Sequence, residues 1–290
     1  MCFFDGTVRL LSLEKLIDKS GKLGSLPAIV YKVFEVMDDS KSTATQIGKV
    51  INDDPALTAR LLKLVNSPFY GFSAKVDTVY RAVALIGHQE LRSVVIAASA
   101  VNVFDGIPSE LVSMPTFWKR SLSTAVVARV LAAFKREKVI ERYFIAGLLH
   151  DIGSLLLYLQ QPDEMTQALQ LQQSEGISLS SAEKQVLGYN HTEVGGALLK
   201  KWNLPPVICT SVKFQETPSK APESEQESAW LIYLARAIVD HHIERDPDLA
   251  EDAVISPDTW QANGLDESLL PKILEKAEQQ YESSKDILLS

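Results

Sequence analysis

The sequence predicts an all-α protein of two helical lobes, and three observations carry that expectation. No stretch sustains the period-two alternation of a half-buried strand, whereas apolar spacings of three and four recur along most of the chain. Residues suited to helix starts, among them Thr43 and Asp54-Pro55, stand just ahead of those patterns. The segment FDGIPSELVSMP at 104–115 carries the breakers of a boundary. It divides an N-terminal lobe, 1–105, from a second lobe, 106–290, that ends in peripheral helices.

In chain order, a short helix is expected around 11–19, and Gly21 and Gly24 mark a turn. Pro27 suits the first turn of a helix with Ile29, Val30, Val33, Phe34 and Met37 at helical spacing. Thr43 caps a short helix carrying Ile47, Val50 and Ile51. Asp54 as N-cap, with Pro55 at the first helical position, opens DPALTARLLKLVN, which Ser67-Pro68 stops. Leu57, Leu61, Leu64 and Val65 recur on one face of it. After a polar turn at Gly71, a helix runs over 78–85, Gly87 closes it, and another continues to Phe104.

Beyond the boundary, long helices are expected over 117–134 and 141–160, followed by helices over 163–174, 178–188 and 192–202. Pro205-Pro206 starts another through Val212. The stretch 216–228, rich in Pro, Ser and Glu, reads as an exposed loop, and an apolar helix covers 229–243. Pro247, Pro257, Gly264 and Pro271 break the remainder into irregular segments and peripheral helices.

Composition narrows the function. In 290 residues, 46 % hydrophobic and 23 % charged, the chain has the make-up of an ordinary globular protein with a substantial core. A net charge of −8 argues against a nucleic-acid surface, which needs clustered Lys and Arg. Cys2 and Cys209 are too few and too far apart for a disulfide framework or zinc set, which fits a reducing cytoplasm. No uninterrupted apolar run approaches a membrane span, so no membrane partner is expected.

The chemistry concentrates in AGLLHDIGSLLLYL, 146–159, an almost wholly apolar run with His150 and Asp151 at its centre. A carboxylate buried there costs several kcal/mol, on the order of the effective penalty for any buried ion, unless a cation or several hydrogen bonds compensate it. Arg236 presents the converse problem, a lone guanidinium inside LIYLARAIV. The economical expectation is that the two meet.

Three stretches resemble one family. DPALTARLLKLVNSPFYG at 54–71 with AVALIGHQELRSVVI at 82–96, AGLLHDIGSLLL at 146–157, and YNHTEVGGALLKKWNLPPVI at 189–208 are similar to HDOD domains, the HD-related output domains of bacterial signalling proteins. The likeness covers roughly residues 20–240. It implies a two-lobed multi-helical fold related to the HD phosphohydrolases, metal enzymes in which an upstream His, the His-Asp pair and a later Asp gather a divalent cation. Manganese, iron or zinc would suit such ligands and would activate water.

On that pattern His150 and Asp151 match the pair, and His191 matches a further histidine of extended sites. Arg120 stands where the upstream His belongs, Arg236 where the last Asp belongs, and Gln215 and Glu216 where related sequences carry paired histidines. A guanidinium has no lone pair to give a metal. The resemblance therefore implies a vestigial site made of His150, Asp151, His191, Arg120, Arg236, Gln215 and Glu216. No catalytic residue, metal or other cofactor is expected, and Arg236, with Arg120 beside it, takes the place of the lost cation.

The expected function is a non-catalytic, cytoplasmic regulatory module of bacterial signalling. Its partner would be a signalling protein or a small ligand, a nucleotide among the candidates. The alternative is a metal-dependent phosphohydrolase acting on a nucleotide or cyclic dinucleotide, with a divalent metal on His150, Asp151 and His191. Other histidines read more plainly. His241 and His242 complement a helix C-terminus, His88 lies on the surface, and Lys200-Lys201-Trp202 is a solvated helix end with a core Trp.

Overall fold

Thr43 accepts a hydrogen bond from the Gln46 N–H while the Gln46 side chain accepts from the Thr43 N–H, a reciprocal cap that starts a helix where the sequence placed one. Asp54 does the same alone, accepting from the N–H groups of Ala56 and Leu57, with Pro55 behind it at the first helical position. In the computed structural model, which describes residues 12–19, 26–67, 70–72, 74–100, 103–104, 107–244, 254–282 and 285, every regular element is helical.

The first helices are α1 (Leu13–Lys19), α2 (Ala28–Asp38), α3 (Ala44–Asn52), α4 (Pro55–Val65) and α5 (Val79–Ala100). The last of these is broken at Gly87, whose φ of 78° lies in the left-handed region that glycine tolerates. Helices α2 to α5 pack on one another. Leu57, Leu61, Leu64 and Val65 of α4 all face that core, with Leu61 fully buried.

The second lobe contains α6 (Met114–Phe134), α7 (Glu141–Leu148), α8 (Ile152–Gln160), α9 (Pro162–Glu175), α10 (Leu179–Leu187), α11 (His191–Lys201), α12 (Pro206–Lys213) and α13 (Glu223–Ile238). A π-helical turn, Val239–Ile243, continues α13, and α14 (Pro257–Ala262) and α15 (Leu270–Glu282) follow. Helix α6 is the axis of this lobe: α7, α13 and α15 all pack on it, and its residues from Ser121 to Ala132 are buried. The lobes join where α5 meets α7, and α1 crosses over to rest on α11.

Four expectations change. The stretch Glu141–Gln160 is two helices, not one, with His150 and Asp151 in the turn between α7 and α8. Leu149 and Asp151 both sit near φ −103° with ψ close to zero, the bridge region between helix and turn. By length and composition this stretch is apolar enough to cross a membrane, contrary to the sequence reading, but 83 % of its most apolar window is buried inside the protein.

The segment 216–228 is not an exposed loop. A short 3-10 turn, Pro218–Lys220, precedes α13, which begins at Glu223, and Pro218, Ala221 and Ser228 are buried. Acidic residues that read as loop composition occupy the first turn of α13, where the helix dipole favours them. Helix α6 likewise begins three residues early, with Ser113 as its cap and Pro115 inside its first turn. The expectations at Cys2, Leu11, Gly21, Gly24, Pro68, Pro247 and the lobe boundary at 105–106 fall outside the described residues.

Candidate functional site

Five elements converge on the turn that carries His150 and Asp151, and two glycines let them approach. A Cβ on Gly153 would lie 2.0 Å from the His191 carbonyl oxygen, so α8 and α11 touch backbone to backbone there. A Cβ on Gly147 would lie 2.6 Å from Ala125 Cα, which sets α7 equally close to α6. Asp151 starts α8 without a side-chain cap bond, so its carboxylate is left for the site.

His150 is 1 % exposed, and its Nδ1–H donates to the Gly147 carbonyl at 2.7 Å, which leaves the Nε2 lone pair facing inward. Burial lowers the His150 pKa to about 4, so the ring is neutral at neutral pH. Gln215, fully buried, donates to the His150 carbonyl oxygen at 2.7 Å and holds the turn from the other side.

His191 opens α11 behind its cap residue Asn190. The carboxylate of Glu183 accepts from both the His191 backbone N–H at 2.8 Å and Nδ1 at 2.6 Å. Burial alone would lower this imidazole's pKa, but Glu183, Glu216 and Asp151 raise it well above the ordinary value. Its Nε2 faces Glu216 Oε1 at 3.4 Å and Asp151 Oδ1 at 3.6 Å, while Asp151 Oδ2 lies 3.7 Å from His150 Nε2.

The arginines complete the cluster, but not in the pairing expected from sequence. Arg236 of α13 donates from Nη1 to Glu216 Oε1 at 3.4 Å, not to Asp151. Arg120 of α6 pairs with Asp240 of the π-helical turn. The physical reason is position. Glu216 lies in a folded segment against α13, and Ser180 donates to its other oxygen, so it reaches Arg236 first. Asp151 feels both guanidinium groups at longer range. Burial would raise its pKa, yet His150, His191, Arg236 and Arg120 together hold it well below the usual carboxylate range. Glu216 is brought down to about 2, against the effect of burial, by the His191 hydrogen bond and the Arg236 charge.

All seven residues singled out in the sequence lie in this neighbourhood. Arg120, Asp151, Ser154, His191, Glu216 and Arg236 line a cavity of about 920 Å³, whose outer wall comes from residues 172–179. Sequence reasoning missed Glu183, Ser180 and the pairing role of Asp240. A signal existed for Glu183: it falls on the apolar stripe Leu179, Glu183, Val186, Leu187 of α10, an inward position that a carboxylate takes only with a partner. His88 is exposed and Trp202 buried, as read from the sequence, and His241 and His242 lie in the π-helical turn at the end of α13.

Whether a divalent metal fits can be judged from the donors. His150 Nε2 and Asp151 Oδ1 are buried without hydrogen-bond partners, as ligands would be. Yet two of the positions are guanidinium groups, and among the described residues no group of three or more His, Cys, Asp or Glu is placed to hold a metal ion. As it stands, the donor set does not fit one.

The HDOD domain family model matches residues 23–218. The chain belongs to the HDOD domain family. An HDOD domain protein of unknown function from Geobacter sulfurreducens has the same fold, with 24 % identity and a TM-score of 0.69 over 94 % of this chain and 98 % of that one. A structure from Shewanella amazonensis SB2B named "Putative phosphohydrolase" matches with 25 % identity and a TM-score of 0.73, covering 96 % of this chain and 98 % of that one. One from Marinobacter aquaeolei VT8 named "Putative signal transduction protein" is 20 % identical, TM-score 0.67, covering 95 % of this chain and 60 % of that one. A curated protein from Treponema pallidum (strain Nichols) is 25 % identical over 209 residues, which are 72 % of this chain and 40 % of that protein. This HDOD chain thus spans about two fifths of the length of that relative.

Proposed function

We propose that this HDOD protein is a non-catalytic regulatory module of bacterial cytoplasmic signalling, and that its cavity receives a protein partner or a small ligand. The observation that supports this reading is Arg236. Its guanidinium stands against Glu216 in the cavity that Asp151 and His191 also line, so the positive charge at the site comes from the chain itself. A guanidinium satisfies carboxylates but cannot polarise a bound water toward hydroxide as a metal does. The surrounding charges are matched in kind: Arg120 on Asp240, His191 on Glu183, Arg236 on Glu216. Likeness to a structure named for signal transduction is in keeping with this role.

The test is metal content and phosphodiesterase activity together. Protein incubated with manganese, iron or zinc and then desalted should retain no stoichiometric metal. It should hydrolyse neither a chromogenic phosphodiester nor a cyclic dinucleotide above background. Stoichiometric metal whose chelation lowers the Tm, or hydrolysis that disappears in Asp151→Ala, would overturn the proposal in favour of the hydrolase.

A further inference from the structure

Ser123 lies near the middle of α6, 2 % exposed, and its hydroxyl has no hydrogen-bond partner among the described residues. Buried helical serines elsewhere in the fold solve this locally. Ser99 donates to the Val95 carbonyl at 2.7 Å and Ser211 to the Val207 carbonyl at 2.6 Å, four residues back in each helix. Ser121 and Thr124 of α6 are unpartnered too, but of the three only Ser123 lines a cavity of about 470 Å³ between α6, α15 and the π-helical turn. That volume is in the range of small-molecule sites, and π-helical turns recur where helices build them.

The walls are mainly apolar. Val126, Leu274, Ala277 and the ring of Tyr281 form them, with Ile243 beside them left 38 % exposed. The charges around the cavity are paired save one. Lys119 of α6 holds Glu244 at 2.9 Å, and Glu282 pairs with Lys285. His242 adds no cation at neutral pH, because burial and the neighbouring His241 lower its pKa. Glu278, exposed on α15 between Leu274 and Tyr281, has no ion pair among the described residues.

We propose that this cavity binds a small amine with an apolar body, its cationic end against Glu278 and a hydroxyl or carbonyl at its far end against Ser123. The apolar walls cover the carbon skeleton, and the inner polar group gives the Ser123 hydroxyl the hydrogen bond it lacks. A carboxylate ligand is disfavoured, since Glu244 already engages Lys119 and Glu278 would repel it. The site is separate from the cavity lined by Asp151 and His191, and it goes beyond the regulatory reading without depending on it.

The probes are tyramine, phenethylamine and para-hydroxyphenylpropionate, titrated by calorimetry into the full chain. Tyramine should bind at one site per chain. Phenethylamine, which lacks the hydroxyl, and the propionate, which reverses the charge, should each bind about tenfold more weakly. Ser123→Ala should erase the preference for tyramine over phenethylamine and leave the Tm unchanged or higher, since no hydrogen bond within the protein is lost. Glu278→Gln should erase most of the preference over the propionate. Absence of saturable tyramine binding overturns the proposal. So does a hydroxyl preference that survives Ser123→Ala, which places the probe elsewhere, or a Tm that falls by several degrees in that variant, which gives the hydroxyl a partner within the protein.

Discussion

Gly153 leaves no space for even one carbon between α8 and α11, because a Cβ would meet the His191 carbonyl oxygen at 2.0 Å and the Gly195 nitrogen at 2.5 Å. Both obstacles are backbone, so the helices themselves must part. Gly153→Ala should cost about 3 kcal/mol, the upper end of ordinary overpacking, measured by urea unfolding. It should also displace His191, which would appear as a shift of that imidazole in NMR titration. Asp151 and Arg236 were legible because each is conspicuous in apolar sequence, whereas His191, Arg120, Gln215 and Glu216 came to notice only through the resemblance to HDOD domains. Glu216 sits in a Pro- and Ser-rich stretch whose composition suggests solvent, and nothing local announces that Ser180 and Arg236 hold it inside. Composition reports average exposure, whereas the burial of one carboxylate depends on contacts remote in the chain.

At the scale of single helices, α4 joins a proline-backed cap to a face of four buried aliphatic residues. Leu61→Ala should therefore lower stability by about 2–5 kcal/mol, and a denaturant midpoint that does not move would contradict its placement. Asn190 closes a reciprocal cap with Glu193 at the start of α11. Asn190→Ala should cost about 1 kcal/mol in the same assay. Caps were readable because Thr43 and Asp54 act within three residues of themselves. The break between α7 and α8 was not readable. A stretch that is apolar on every side shows no periodicity to interrupt, and the turn at 149–151 is held by Gln215, sixty-five positions away.

For the whole molecule, the site makes stability depend on pH. Burial keeps the His150 pKa near 4 in the folded protein, against 6.5 for the free side chain. Its contribution is present above about 6.5 and is lost as pH falls toward 4. Glu216, brought down to about 2 from 4.5, and Asp151, also depressed, contribute above the usual carboxylate range and lose that contribution as pH falls further. His191 acts oppositely. Its raised pKa gives stability that is full below about 6.5 and is lost as pH rises through the raised value. Unfolding free energy should thus fall in two stages on acidification, and Glu216→Gln should flatten the lower one.

The crossing of α1 onto α11 has a consequence in time. Lys201 Nζ donates to the Ile17 carbonyl across 184 positions of chain, and Leu16 and Ile17 are buried. During synthesis α1 emerges before α11, and its seat is completed only when α11 has been made, so its apolar face must wait in solvent or in the hands of a chaperone. Loop closure over such a span comes after local helix pairing. In pulse-labelling hydrogen exchange the α1 amides should acquire protection after those of α3, α4 and α6, although α1 precedes all three in the chain.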